Sequence, residues 1–267
     1  LSVILLTALP QKSFTGRDMA VMIRAAFSGR RCAGRNSRGN RMAKLIVTID
    51  GPAGVGKSTV AHMLAERLGA AFLDTGAMYR ALTLAAIKRG VPLNDAEKVL
   101  EVLRATDFDF RVAGGEMKVA INGEDVSAVI RSPEITSQVR HIAAAPALRA
   151  ALVEMQRAFA AGQDAVVTEG RDQGTVAFPE ARYKFFLKAD VDERARRRKL
   201  QLAEKGEVVD IVKIRNDMIE RDRSDETRPT GPLIAAEDAV IIDTTNLDAK
   251  GVVEVMMQHI KGTLHGA

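Results

Sequence analysis

The sequence predicts an α/β protein: a parallel five-stranded sheet with helices on both faces, joined to a small antiparallel insert and a helical lid. Three observations carry this expectation. Short apolar runs at 45–50, 71–73, 165–167, 183–187 and 239–242 alternate with stretches of helical spacing, the pattern of parallel strands buried on both faces. The first run, Leu45 to Asp50, opens into a glycine-rich turn and then a helix, and sheets of this kind take their ligands at the carboxyl ends of the strands. Between Asp107 and Ile121 the spacing becomes nearly alternating around Gly114-Gly115, with Asn122-Gly123 after it. Those are two hairpin signals in succession, and they mark an antiparallel insertion.

The elements follow in order. Val60, Ala61, Leu64, Ala65 and Leu68 recur at helical spacing and Gly69 closes that helix. Ala71-Phe72-Leu73 is a short buried strand running into Asp74-Thr75-Gly76, and a second helix is expected from about Ala77 to Arg89, closed by Gly90. Asn94 to Glu97 has the form of a capping box for a third helix, to about Ala105. After the hairpins come a short helical stretch over Pro133 to His141 and a longer helix over Pro146 to Ala161, with proline in its first turn. A strongly charged helical pair covers about Val191 to Asp225, and a closing helix from Leu247 to Leu264, capped by Asn246, follows the last strand.

A chain of 267 residues with 46% hydrophobic content suffices for one large or two small domains. No apolar run approaches the ~20 residues of a membrane helix, so no membrane partner is expected. The single cysteine, Cys32, excludes an internal disulfide and a cysteine zinc site, and suits a reducing, cytoplasmic setting. Residues 1–41 hold eight Lys/Arg against one acid, Asp18, a net of +7, which leaves 31 basic and 33 acidic residues elsewhere, a net of −2. The basic excess therefore belongs to the arm. Three readings of it stay open: a leader translated from an upstream start, given Met42 just before the first strand; an organelle transit peptide; or a basic arm for nucleic acid or acidic lipid.

The chemistry begins at Gly51-Pro52-Ala53-Gly54-Val55-Gly56-Lys57-Ser58, followed by Thr59, which is Gly-x-x-x-x-Gly-Lys-Ser between a strand and a helix. Its glycines let main-chain N–H groups wrap a polyphosphate; Lys57 reaches the outer phosphates and the Ser58 hydroxyl sits on Mg²⁺. A nucleoside triphosphate with Mg²⁺ is the expected cofactor, and the open question is what receives the phosphate.

Four further clusters fall after strands or in the charged pair. Thr75 and Arg80 lie close enough to one helix start to share an anion. Gly170 and Gly174 bracket a turn that projects Arg171 and Asp172, and an arginine suits bidentate phosphate contact. The run Glu193 to Arg198 reads either as a solvated basic face or as a mobile lid bringing cations to the transferring phosphoryl group. Arg221, Asp225 and Arg228 share one helical face, where the carboxylate suits a sugar and the arginines a base or phosphate. His62, His141, His259 and His265 have no ligand spacing and read as packing or surface.

Taken together, Ile49 to Thr59, Leu73 to Arg80, Glu169 to Thr175 and Arg221-Asp222-x-x-Asp225-x-x-Arg228 closely resemble the bacterial cytidylate kinase family, from about Met42 to the C-terminus. The resemblance implies a P-loop nucleoside monophosphate kinase fold and transfer of phosphate from ATP to CMP or dCMP with Mg²⁺. It implies a kinase domain over 42–267 and leaves outside it the basic extension over 1–41, whose composition reads as disordered or not native. Within that domain 42–104 and 162–267 form the core, about 105–161 the CMP-binding insert and about 190–230 the lid. Carried over by residue, Gly51 to Thr59 would hold ATP, and Lys57, Arg171, Arg197 and Arg221 would be the catalytic cations, Arg197 coming from the lid. Thr75, Tyr79, Arg80 and Arg171 would gather at the CMP phosphate and sugar, Arg149, Asp172 and Arg228 would read the cytosine, and Arg221 and Asp225 the ribose.

One position departs. Arg140 stands where the family places a base-contacting serine, so Ser137 substitutes, a contact is missing, or Arg140 pairs with Asp172. A monomer without nucleic-acid partners is expected. The competing readings are a kinase of the same fold acting on UMP, AMP or a small alcohol, and a GTPase switch, which would need an Asn-Lys-x-Asp motif the chain lacks. A nucleic-acid binder using the arm is the third, and aromatics at 4% leave few stacking platforms for it.

Overall fold

The computed structural model describes residues 45–204 and 206–265, the side chains of 263–265 excepted. The expectations for residues 1–41 lie outside the described residues. Five strands, β1 (Leu45–Asp50), β2 (Ala71–Asp74), β6 (Ala165–Gly170), β7 (Tyr183–Lys188) and β8 (Val240–Asp243), form one parallel sheet in the order β2-β6-β1-β7-β8. Alternate residues of each strand face opposite layers. Ile46, Leu73 and Val166 join one core with helices α2 (Thr75–Lys88), α3 (Ala96–Arg104) and α5 (Pro146–Ala161). Val47, Ile49, Phe72, Val167 and Phe185 join the other with α1 (Lys57–Leu68) and α8 (Ala249–His265).

The insert is a three-stranded antiparallel sheet, β3 (Phe108–Ala113), β4 (Glu116–Ile121) and β5 (Glu124–Asp125). Its two turns carry positive φ at Gly114 and Gly115 and at Asn122 and Gly123, as two-residue hairpin turns between right-twisted strands require. Phe108, Phe110, Met117 and Val119 pack into the same cluster as Leu82 of α2 and Leu152 of α5, so the insert shares the core's hydrophobic interior. Helix α4 (Pro133–Ala144) leads into α5, and its first turn is capped by Ser132. The charged pair is α6 (Val191–Ala203) and α7 (Ile211–Thr227), held by a small cluster of Ala195, Leu202, Ile214 and Met218.

Three helix starts differ from expectation, each through an aspartate. Helix α2 begins at Thr75, because Asp74 accepts the Ala77 N–H (2.9 Å). Asp95, not Asn94, caps α3 by accepting from Lys98. Asp248, not Asn246, caps α8, taking the Gly251 N–H at 2.7 Å, so that helix starts two residues later than expected. Asp and Asn are nearly equivalent caps, and where they cluster the register of the following turn decides between them.

Parallel register sets Asp50 beside Gly170, and Asp74 beside Glu169. The carboxyl ends of β1, β2 and β6 thus form one edge lined by acidic side chains. Leu152→Ala, at a fully buried position of α5, is expected to lower unfolding free energy by about 2–5 kcal/mol in urea titration, whereas Ile219→Ala on the exposed face of α7 should shift it by less than about 0.5 kcal/mol.

Candidate active site

The glycine-rich loop leaves β1 at Asp50 and re-enters structure at Lys57, the first residue of α1. Gly51 has φ 146°, and a Cβ there would collide with the Leu187 carbonyl on β7, so the loop can hug the sheet edge only with glycine. Lys57 is buried and curls back so that Nζ donates to the Pro52 carbonyl at 2.6 Å. Burial, then the Arg171 charge, pushes its ammonium down to about 7, with Arg221 adding to this and Glu169 and Asp50 opposing it. A desolvated cation among cations is a site built for anions.

Ser58 Oγ donates to Glu169 Oε1 at 2.6 Å, and Thr75 Oγ1 donates to the Glu169 carbonyl at 2.8 Å. A hydroxyl and a carboxylate side by side at the helix start are hard oxygen donors, a set that fits Mg²⁺ arriving with phosphates. Glu169 was not among the residues assigned a role from the sequence. Its register with Asp74 comes from the pairing of β2 with β6, which no local signal in the sequence gives.

Opposite the loop the arginines are held on carboxylates. Asp74 takes Arg80 Nη2 at 3.0 Å and, from the short turn Val129–Arg131 after β5, Arg131 Nη2 at 3.2 Å. Asp225 accepts from Arg171 Nε at 2.8 Å and lies 3.6 Å from Arg228 Nη1. Burial pushes the Asp225 carboxyl up, yet Arg171, Arg221 and Arg228 together hold it below its ordinary value. Burial, then Arg171, lowers Arg221, with Arg80 adding to this and Asp225 and Asp222 opposing it, so Arg80, Arg171 and Arg221 share one electrostatic neighbourhood with Lys57.

Deeper in, Asp172 is ion-paired with the buried Arg149, and Arg228 Nη2 stands 3.8 Å from its other oxygen. Arg149 lies 5.9 Å over the Tyr79 ring, and burial raises the Tyr79 phenol to about 12. Among the described residues, three of the seven buried side-chain atoms without a hydrogen-bond partner are Arg80 Nε, Arg149 Nε and Arg228 Nη2. Buried donors of this kind require an acceptor, and all three lie in this half of the site.

Two expectations fare differently. Asp172 is engaged by Arg149 and Arg228, while Arg140 is exposed on α4 and the Ser137 hydroxyl donates to the Glu134 carbonyl, so neither Arg140 nor Ser137 joins this group. Arg197 is not brought onto the loop: its guanidinium sits on Glu193 and on the Thr244 carbonyl at 2.6 Å. The α6 cation that touches the loop is Arg194, whose Nη1 donates to the Ala53 carbonyl at 3.1 Å and to Asp222 at 2.6 Å. It is in the first turn of α6, the turn nearest the carboxyl edge of β7.

The chain resembles known proteins along most of its length. A family model described as cytidylate kinase matches residues 47–262. Relatives named cytidylate kinase include one from Pelotomaculum thermopropionicum, 46% identical over 80% of this chain and 95% of its own. One from Shewanella loihica is 46% identical over 82% and 95%. A third, from Caldicellulosiruptor saccharolyticus, is 42% identical over 81% and 96%.

The depressed Lys57 has a thermodynamic consequence. The unfolded chain keeps that proton up to about 10.5 while the folded one releases it from about 7, so this group makes the unliganded protein more stable as pH rises through that window, by up to about 1.4 kcal/mol per unit. Denaturant unfolding at pH 7, 8 and 9 measures the slope. Lys57→Met is expected to flatten it and to be the more stable protein at pH 7.

Proposed function

Because the chain belongs to the cytidylate kinase family, we propose that it transfers the terminal phosphoryl group of ATP to CMP or dCMP, giving ADP and CDP or dCDP. The observation that carries this reading is the meeting of the glycine-rich loop with a cluster of buried arginines at one edge of the sheet. A phosphate oxygen of the acceptor forms the new bond to the γ-phosphorus as the bond from that phosphorus to the β–γ bridging oxygen breaks, and the bridging oxygen leaves on ADP. The acceptor oxygen is already ionised, so no general base is required, and catalysis is positioning and charge neutralisation.

In this reading Gly51 to Thr59 hold the ATP phosphates through main-chain N–H groups, and Lys57 Nζ exchanges the Pro52 carbonyl for a phosphate oxygen. Arg171 and Arg221 neutralise the charge that develops between donor and acceptor. Arg80, with Thr75 and Tyr79 beside it, and Arg131 from the turn after β5 take the acceptor phosphate in place of Asp74. Arg149, Asp172 and Arg228 face the pyrimidine: a carboxylate accepts from the exocyclic amine of cytosine and a guanidinium donates to the ring acceptors. Asp225 turns to the sugar hydroxyls. Mg²⁺ held by Ser58 and Glu169 would neutralise charge on the β- and γ-phosphates. Arg194 ties the lid to the loop, and Arg197 anchors the lid helix to the segment after β8.

A coupled ADP-release assay across CMP, dCMP, UMP, AMP and GMP tests the acceptor, with CMP and dCMP expected to be preferred; preference for a purine monophosphate would overturn the reading. Lys57→Ala should lower kcat by at least about 10²-fold with the fold intact. Arg80→Ala should act mainly on kcat/KM for CMP. Removal of residues 1–41 is expected to leave turnover unchanged, and a large loss would assign the arm a role in catalysis.

A further inference from the structure

Asp50 is a buried carboxylate, 4% exposed, that the phosphoryl-transfer reading does not use. It ends β1, and its two oxygens accept main-chain N–H groups 123 and 124 residues away: Gln173 on Oδ1 at 2.9 Å and Gly174 on Oδ2 at 2.8 Å. Those two N–H groups open a single wide turn, Gln173–Ala177, closed by Phe178 N–H donating to the Gln173 carbonyl at 2.7 Å. The first N–H groups of any helical turn point forward without intrahelical partners and need a cap.

The residue in the capping position of this turn is Asp172, and aspartate is among the best side chains for that task. It nevertheless makes no capping hydrogen bond. Its carboxylate is turned away, into the pair with Arg149 and toward Arg228. Two aspartates thus divide one job: the first residue before the glycine-rich loop caps the turn, and the residue that would ordinarily cap it faces the acceptor pocket.

We propose that Asp50 is a positioning residue for acceptor choice: by capping the 173–177 turn from across the sheet, it frees Asp172 to read the base and ties the Arg171–Asp172 turn to the origin of the donor loop. Without Asp50, Asp172 recovers the local alternative that its sequence position favours, folding back onto its own turn and leaving Arg149 and Arg228. Burial pushes the Asp50 carboxyl up to about 6 while the Gly174 and Gln173 N–H groups and Lys57 pull it down and Asp172 raises it. An uncharged residue would be easier to bury, and the ionised one supplies the two acceptor oxygens that both donors need.

The inference rests on the cytidylate reading, and the test separates the two. Wild type, Asp50→Ala, Asp172→Ala and the double variant are compared with CMP and UMP as acceptors at fixed ATP, and then with ATP varied. Asp50→Ala is expected to lower kcat/KM for CMP by about 10–10²-fold, to bring the CMP to UMP ratio close to that of Asp172→Ala, and to leave KM for ATP within about threefold. In the Asp172→Ala background the same change should cost little more. An unchanged CMP to UMP ratio in Asp50→Ala beside an active wild type, or equal losses for ATP and CMP, would overturn the inference alone. Absence of cytidylate turnover by the wild type would remove the reading and the inference with it. Should Asp50→Ala not fold, Asp50→Asn, which keeps one acceptor oxygen, is expected to lose part of the discrimination, and a wild-type ratio in that variant would overturn the proposal.

Discussion

Like charges held together out of water are the constraint on which this molecule is arranged. Burial, with Arg171 next, depresses both Lys57 and Arg221; Arg221 adds to the effect on Lys57, and Arg80 to that on Arg221. A folded chain tolerates such a cluster only if carboxylates are interleaved with it, and Asp50, Glu169, Asp74 and Asp225 are the ones provided. Buried ion pairs of this type contribute little net stability because desolvation offsets their attraction. In the proposed reaction, that lets a phosphate with its own negative charges take over the guanidinium groups of Arg80 and Arg171 without a large loss from breaking their pairs with Asp74 and Asp225.

The parallel sheet explains why the acids and bases meet. Residues at the ends of β1, β2 and β6 are far apart in sequence, yet register sets Asp50 against Gly170 and Asp74 against Glu169. Each strand end then feeds a different part of the site: the loop from β1, the helix with Arg80 from β2, the turn with Arg171 and Asp172 from β6. The charged helical pair sits outside this frame. Its own core among the described residues is Ala195, Leu202, Ile214 and Met218 with Val191 and Val209 packed against them, and it reaches the loop through Arg194 and the Met218 methyl beside Gly54. An element with few buried apolar contacts opens at lower free energy than the sheet and its two cores.

Much of this is legible in the sequence alone. The five strands, the loop and the hairpin turns each carry a local signal, because glycine at positive φ and β-branched runs have few other uses. Arg80, Arg171, Asp172, Asp225 and Arg228 draw notice in the sequence because each follows a strand or shares a helical face, and the fold pairs them with one another or with Asp74. What is not legible there depends on pairing over long sequence distances. Nothing local distinguishes Asp95 from Asn94 as a cap, and nothing in the run 194–198 says that Arg194, not Arg197, meets the Ala53 carbonyl. Arg131 and Glu169 enter the site only once the 129–131 turn and β6 are set against β2. Asp172 misleads in its own way: by sequence it is a helix cap, and in the fold another aspartate does that work.

The central claim is that donor and acceptor phosphates meet in one continuous cationic cleft beside Lys57. Titration calorimetry with adenosine and cytidine joined through their 5′ carbons by five phosphates measures this directly. The ligand is expected to bind at least about a hundredfold more tightly than ATP or CMP alone, since the second half binds as an intramolecular event. An affinity no better than that of the tighter single nucleotide would place the two sites apart and contradict the account.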